Sequence, residues 1–235
     1  GLRQAVVTPH YSANAEPDQL RVHESVFSDL VSAVAAEGLP VELHLGVEMA
    51  FRFGLQEVAI DASARLAGGQ YVLVDLPPGP LSPGLEQAFF ALRTAGWRPI
   101  LAHPERHREL ARQPERIQRL RDQDLLLQVN AGSLVGKFGR RAMATAQLLV
   151  ERGWADFIAS DGHDLHKRPM TVRAAADRLL GLVGAERTRQ LLCDNPACVM
   201  SGAAIEPYHP AVSGRRGGLG QWIQRRFAPS AATRG

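Results

Sequence analysis

Five short apolar runs in this chain end in a residue that can bind a metal ion. Ala5–Thr8 leads into Pro9-His10, Leu43–Val47 into Glu48, and Tyr71–Val74 into Asp75. Pro99–Ala102 leads into His103, and Phe157–Ser160 into Asp161-Gly162-His163. Imidazoles and carboxylates are the usual ligands of divalent first-row metals. In a (β/α) barrel the C-terminal ends of parallel strands converge on one face, where active sites sit. One such ending carries no information. Five of the same kind point to a shared metal centre at one mouth.

The Asp161-Gly162-His163 turn is the sharpest of the five, because Gly162 relaxes the backbone enough for both flanking groups to face one cavity. Taken alone it also reads as a turn with a surface histidine. Glu48 has two oxygens and can bridge two ions. Asp75 ends a fully apolar run, and a buried carboxylate there needs a partner. Arg106 follows His103, and Arg168 follows His163; a guanidinium beside a metal mouth is suited to holding phosphate with two parallel hydrogen bonds. His107 and His166 lie near these motifs and are candidates to support them. His44 alternates with Leu43 and Leu45 and reads as structural, while His23 and His209 read as solvent-facing.

Other chemistries are excluded by pattern. A cysteine-dependent phosphatase loop needs Cys, five residues and then Arg, but Val199 and Ala204 stand at the Arg positions relative to Cys193 and Cys198. The chain has no G-x-x-x-x-G-K-[ST] loop, no G-x-G-x-x-G after a strand and no G-x-S-x-G elbow. The two cysteines lack C-x-x-C spacing and read as free thiols of a reducing cytoplasm. Five of the 27 basic residues fall in 211–235, which has no acid, so the remainder is slightly acidic, 22 basic against 24 acidic. A basic nucleic-acid-binding domain is thereby excluded. No stretch approaches the roughly 18 apolar residues of a membrane span, and none reads as a signal peptide.

The elements that must position these residues alternate between strand and helix. Gln4–Thr8, Val41–Val47, Tyr71–Val74, Pro99–Ala102, Leu125–Val129 and Phe157–Ser160 read as strands, the fifth ending at Asn130. Each is short and apolar on both faces, as a buried parallel sheet requires. Helices are predicted over Asp18–Glu37, around Leu85, Phe89 and Leu92, and over Pro114–Arg121, Arg140–Arg152, Thr171–Leu182 and Ala185–Leu192. Val26, Phe27, Leu30, Val31 and Val34 mark the apolar face of the first. Residues 51–70 do not declare an element beyond a short helix with a loop. From about Ser213 the composition is that of a disordered tail. This alternation predicts one α/β domain with a parallel sheet or barrel.

Thr8-Pro9-His10, Gly46-Val47-Glu48, Ala102-His103-Pro104-Glu105-Arg106, Gln128-Val129-Asn130 and Ala159-Ser160-Asp161-Gly162-His163 with Arg168-Pro169 together resemble the PHP superfamily. The nearest branch is that of bacterial phosphotyrosine-protein phosphatases of capsular and exopolysaccharide loci, the CpsB/YwqE type. The resemblance runs from residue 1 to about 205. It implies a distorted (βα)7 barrel with two or three divalent ions, typically manganese, at its mouth. It implies His10, Glu48, Asp75, His103, Asp161 and His163 as metal ligands, Asp75 standing where the family usually has Glu. It makes Arg106 and Arg168 the catalytic phosphate binders, with Asn130 and His166 facing substrate or supporting the ligands. The expected reaction is hydrolysis of protein phosphotyrosine by metal-activated water, in line with the leaving tyrosine oxygen. The expected partner is the phosphotyrosine tail of a tyrosine kinase that controls polysaccharide assembly.

The family's opening strand carries Asp-x-His-x-His, which this sequence lacks. The expectation is therefore a barrel over residues 1–210 without its first βα unit, followed by a basic tail, 211–235, able to touch an anionic membrane surface. The alternatives are a PHP phosphatase of a small, histidinol-phosphate-like monoester, or a non-catalytic barrel that binds a kinase.

Overall fold

The computed structural model describes residues 2–205 apart from 13 and 17, together with residue 208. The basic segment 211–235 lies outside the described residues. Among the described residues there are eight strands: β1 Gln4–Val7, β2 His10–Tyr11, β3 Glu42–Leu45, β4 Glu48–Ala50, β5 Tyr71–Asp75, β6 Arg98–Ala102, β7 Leu126–Asn130 and β8 Phe157–Ala159. The order is β1-β3 in one ladder and β2-β4-β5-β6-β7-β8 in the other, and every pairing is parallel.

The two ladders are one ladder with a break. Gly46 N donates to Val7 O and Glu48 N to Pro9 O, each at 3.0 Å, so β1 runs on into β2 and β3 into β4. Pro9 has no N–H to give, which interrupts the pairing. Gly46 is required by packing. A Cβ there would fall 2.8 Å from Leu66 Cδ2 and 3.0 Å from Leu66 Cα, where the turns at Ala62–Ala64 and Leu66–Gly68 lie against the strand.

Eight helices accompany the strands among the described residues: α1 Gln19–Ala36, α2 Leu55–Val58, α3 Leu85–Thr94, α4 Pro114–Arg121, α5 Ala131–Leu134, α6 Gly139–Glu151, α7 Arg173–Arg189 and α8 Asn195–Ser201. The two helices predicted at the end are separated as expected, since Gly184 leaves helical geometry at φ 77. Leu85, Ala88, Phe89 and Leu92 form the buried stripe of α3, at the spacing one helix face demands.

Strand side chains alternate between two cores. Val72, Val74, Leu101, Leu127 and Val129 pack with the helices. Tyr71, Leu73, Ile100 and Ala102 face the other way, where Val199 and Ile205 cover them. The Tyr71 hydroxyl donates to Ala203 O at 2.6 Å and Gln70 Nε2 to Gly202 O at 2.7 Å, tying the end of the described chain under the sheet. The buried Asp156, just before β8, accepts from Leu127 N at 2.8 Å and pairs with Arg121.

The first helix forms as predicted, over Gln19–Ala36, but of its residues only Leu20 is buried, and Val26 and Leu30 are 61% and 39% exposed. Helical periodicity marks a face without saying what covers it. No helix among the described residues is long and apolar enough to cross a membrane.

Candidate metal centre

Neighbouring strands β4, β5 and β6 deliver Glu48, Asp75 and His103 to one end of the sheet. One donor atom from each lies within 4.8 Å of the other two. His103 Nε2 is 2.9 Å from Glu48 Oε1, and Nδ1 is 3.6 Å from Asp75 Oδ1. His103 sits in the left-handed region at φ 31, just past the end of β6. The chain turns there at once into the Pro104–Arg106 turn, closed by Arg106 N donating to His103 O at 2.9 Å. Such a conformation costs about 1–3 kcal/mol outside glycine and persists where the surroundings dictate it.

Charge explains what this pocket suits. Burial by itself pushes the His103 imidazole down. The hydrogen bond and charge of Glu48, with Asp75 and Glu105 behind, outweigh it and hold the group above its ordinary value. Asp75 is pushed up, by burial first and also by Glu48, against His103, His10 and Arg106. Two carboxylates and an imidazole, half-enclosed and net negative, form an oxygen- and nitrogen-donor set that fits a divalent first-row ion.

A second group forms beside the triad, around Asp161, which is also left-handed at φ 48. Asp161 Oδ2 accepts from Arg106 at 3.0 Å, from Asn130 Nδ2 at 2.6 Å and from Arg168. Its other oxygen is 3.5 Å from His163 Nδ1, and the His163 and His10 rings lie 5.4 Å apart. Of the predicted ligands, Glu48, Asp75 and His103 therefore form one cluster. His10 and His163 form a pair at the same mouth, and Asp161 is the anchor of the two arginines. The two arginines and Asn130 are brought together as a unit. His166 is exposed on the following loop, where its backbone N–H donates to Asp164 Oδ1 at 2.7 Å.

Three residues to which the sequence assigned no role hold this second group in place. Glu105 is fully buried, and its Oε1 accepts from Asn130 N at 3.0 Å and Ser133 Oγ at 2.7 Å. Phe138 lies beneath both guanidiniums, 4.4 Å from Arg106 and 5.8 Å from Arg168, measured from ring centroid to Cζ. A Cβ at Gly132 would come within 2.8 Å of Phe138 Cε2, so only glycine leaves room for the ring. The signal available in sequence was the small-residue run Ala131-Gly132-Ser133 straight after the strand end at Asn130. His107, expected to support the site, is buried on the wall of an adjoining cleft of about 770 Å3. His44 lines a separate cavity of about 500 Å3 and pairs with Glu42 at 3.4 Å, in keeping with a structural role.

The chain is similar to known proteins in sequence and in fold. Residues 1–201 match the family described as capsular polysaccharide synthesis, CpsB/CapC. The chain is 30% identical over 172 residues to the tyrosine-protein phosphatase YwqE of Bacillus subtilis, covering 72% of this chain and 66% of that protein, just under two thirds of its length. It is 29% identical over 106 residues to the tyrosine-protein phosphatase CpsB of Streptococcus pneumoniae, covering 43% of this chain and 44% of that protein. A solved structure from work on these two proteins, described as unique metal-dependent tyrosine phosphatases, superposes with a TM-score of 0.80 at 26% identity, covering 89% of this chain and 85% of that one. In sequence and in its parallel α/β fold, the chain belongs to the CpsB/CapC family of capsular polysaccharide synthesis.

Proposed function

We propose that this chain hydrolyses protein phosphotyrosine with the help of divalent metal ions, manganese foremost. The substrate is the phosphotyrosine tail of a cytoplasmic tyrosine kinase of polysaccharide assembly. One observation carries the reading: an oxygen- and nitrogen-donor triad stands beside two guanidiniums gathered on a single carboxylate. Relatives named as tyrosine-protein phosphatases support the activity, and the capsule family supports the setting. Two free cysteines, Cys193 and Cys198, suit a reducing compartment.

Glu48, Asp75 and His103 would hold an ion, with His10 and His163 beside them for a further one. A bound divalent ion activates water and offsets phosphate charge. Arg106 and Arg168 bind the non-bridging oxygens, because a guanidinium fork matches a phosphate edge. Asp161 pre-positions both forks, and Phe138 fixes the plane in which they lie. Asn130 shares the same carboxylate oxygen and so sets the rotamer of Asp161. The leaving tyrosinate has a pKa of about 10 and needs less protonation than an aliphatic alkoxide.

The test is His103→Ala, with elemental analysis and hydrolysis of a phosphotyrosyl peptide and of p-nitrophenyl phosphate in manganese. Loss of bound manganese and of nearly all turnover is expected. Unchanged metal content would overturn the ligand assignment. A metal-loaded wild type that leaves phosphotyrosine intact would overturn the activity.

A further inference from the structure

The cleft of about 770 Å3 beside the metal triad has two unlike walls. One is the loop Pro78-Gly79-Pro80, uncharged and exposed, with Leu76 and Leu81 buried at its ends. The other is the helical turn that follows Arg106, closed by Ala111 N donating to His107 O at 2.9 Å. Leu110 and Ala111 point inward from this turn and are buried, while Arg108 and Arg112 are exposed and line the cleft.

Charge on the second wall is uncompensated. Among the described residues neither the Arg108 nor the Arg112 side chain has an ion-pair or hydrogen-bond partner. The one carboxylate between them, Glu109, is already committed. Its Oε2 accepts from Leu81 N at 2.8 Å, and its Oε1 pairs with Arg116. Glu109 therefore clips the proline wall to the arginine wall and leaves the two cations free. Arg106, Asp75 and His103 line the same cleft. The cleft that holds these two free cations is thus shared with the residues where phosphate would be held.

We propose that Arg108 and Arg112 form a specificity subsite for the carboxylates of acidic residues flanking the phosphotyrosine, so that this chain selects phosphotyrosine in an acidic peptide segment. The inference rests on the phosphotyrosine reading above. The proline wall takes the apolar side of the peptide, and the arginine wall takes Asp or Glu side chains one or two residues from the phosphate. Long-range attraction of this kind raises the rate of encounter and sharpens partner choice more than it changes chemistry.

The experiment compares two phosphotyrosyl peptides, identical except that flanking Glu residues are replaced by Gln, together with p-nitrophenyl phosphate. Wild type is compared with the double variant Arg108→Ala/Arg112→Ala. Wild type should favour the acidic peptide by roughly three- to tenfold in kcat/KM at low salt, the range two exposed ion pairs supply. The preference should shrink as salt rises. The double variant should lose it through KM, with kcat, p-nitrophenyl phosphate hydrolysis and melting temperature unchanged. Arg108→Glu should go further and favour the neutral peptide. A wild type that hydrolyses both peptides equally, or a double variant that keeps the preference, overturns the subsite and leaves the phosphatase reading standing. Turnover of p-nitrophenyl phosphate with none of either peptide overturns the phosphotyrosine reading and the subsite with it.

Discussion

The Arg106 guanidinium stands over Phe138, its Cζ 4.4 Å from the ring centroid, while its Nη1 donates to Asp161 Oδ2 at 3.0 Å. A cation on a ring face is worth about 0.5–2 kcal/mol. Phe138→Ala should therefore lower kcat/KM for phosphotyrosyl substrates by roughly three- to thirtyfold, mainly through KM, without loss of bound metal. Gly132→Ala should give a similar defect, because its Cβ would displace the same ring. Steady-state kinetics with parallel metal analysis checks both, and a drop in metal content would show that Phe138 supports the triad instead.

Asp75 offers its carboxylate from the end of β5. Asp75→Asn keeps the size and removes the charge, and should weaken manganese binding by at least about tenfold, the scale seen even for groups that only support a ligand. Asp75→Glu keeps the charge on a longer arm and should retain the metal. Isothermal titration of manganese into each variant checks the pair. Equal affinities for all three proteins would remove Asp75 from the ligand set.

Away from the mouth, Asp156 is buried with Arg121 as its partner. Deleting one side of a buried ion pair strands the other, at a cost of about 3–5 kcal/mol. Asp156→Ala should unfold at markedly lower urea concentration, while its kinetics at low temperature stay near wild type. Arg121→Met with Asp156→Leu should recover part of the loss.

Acid sensitivity has a specific contributor in His107. Burial pushes its imidazole below the ordinary value of 6.5, against the pull of Glu109 and Asp75. Between the lowered folded value and 6.5 the unfolded chain binds the extra proton, so stability falls as pH drops below about 6.5 and is unaffected above it. His107→Gln should flatten this part of the stability profile. Urea midpoints of both proteins between pH 5 and 7.5 provide the check, and parallel profiles would show that His107 does not contribute.

Much of the site could be read from sequence because a parallel strand buried on both faces is a short apolar run, and its end is visible as the first polar residue. That rule located Asp75 and His103 at the ends of neighbouring strands and Asp161 just beyond β8. It failed where the chain bends without leaving the sheet. Thr8 and Val47 read as strand ends, yet β2 and β4 continue beyond them, and Glu48 opens β4. It also could not assign Asp161 between metal and guanidinium, since that depends on Arg106, Asn130 and Arg168 arriving from three different segments. Glu105 and Phe138 were invisible for the same reason. Glu105 is a buried acid whose partners, Asn130 N and Ser133 Oγ, are 25 and 28 residues away.

The bond from the Tyr71 hydroxyl to Ala203 O fixes Ala203 against the start of one strand. Tyr71 begins β5, whereas Asp75 ends it at the mouth. Ala203 is therefore held at the pole opposite the candidate catalytic face. A reporter attached at the exposed residue 203 would therefore sit away from the mouth and leave it unobstructed.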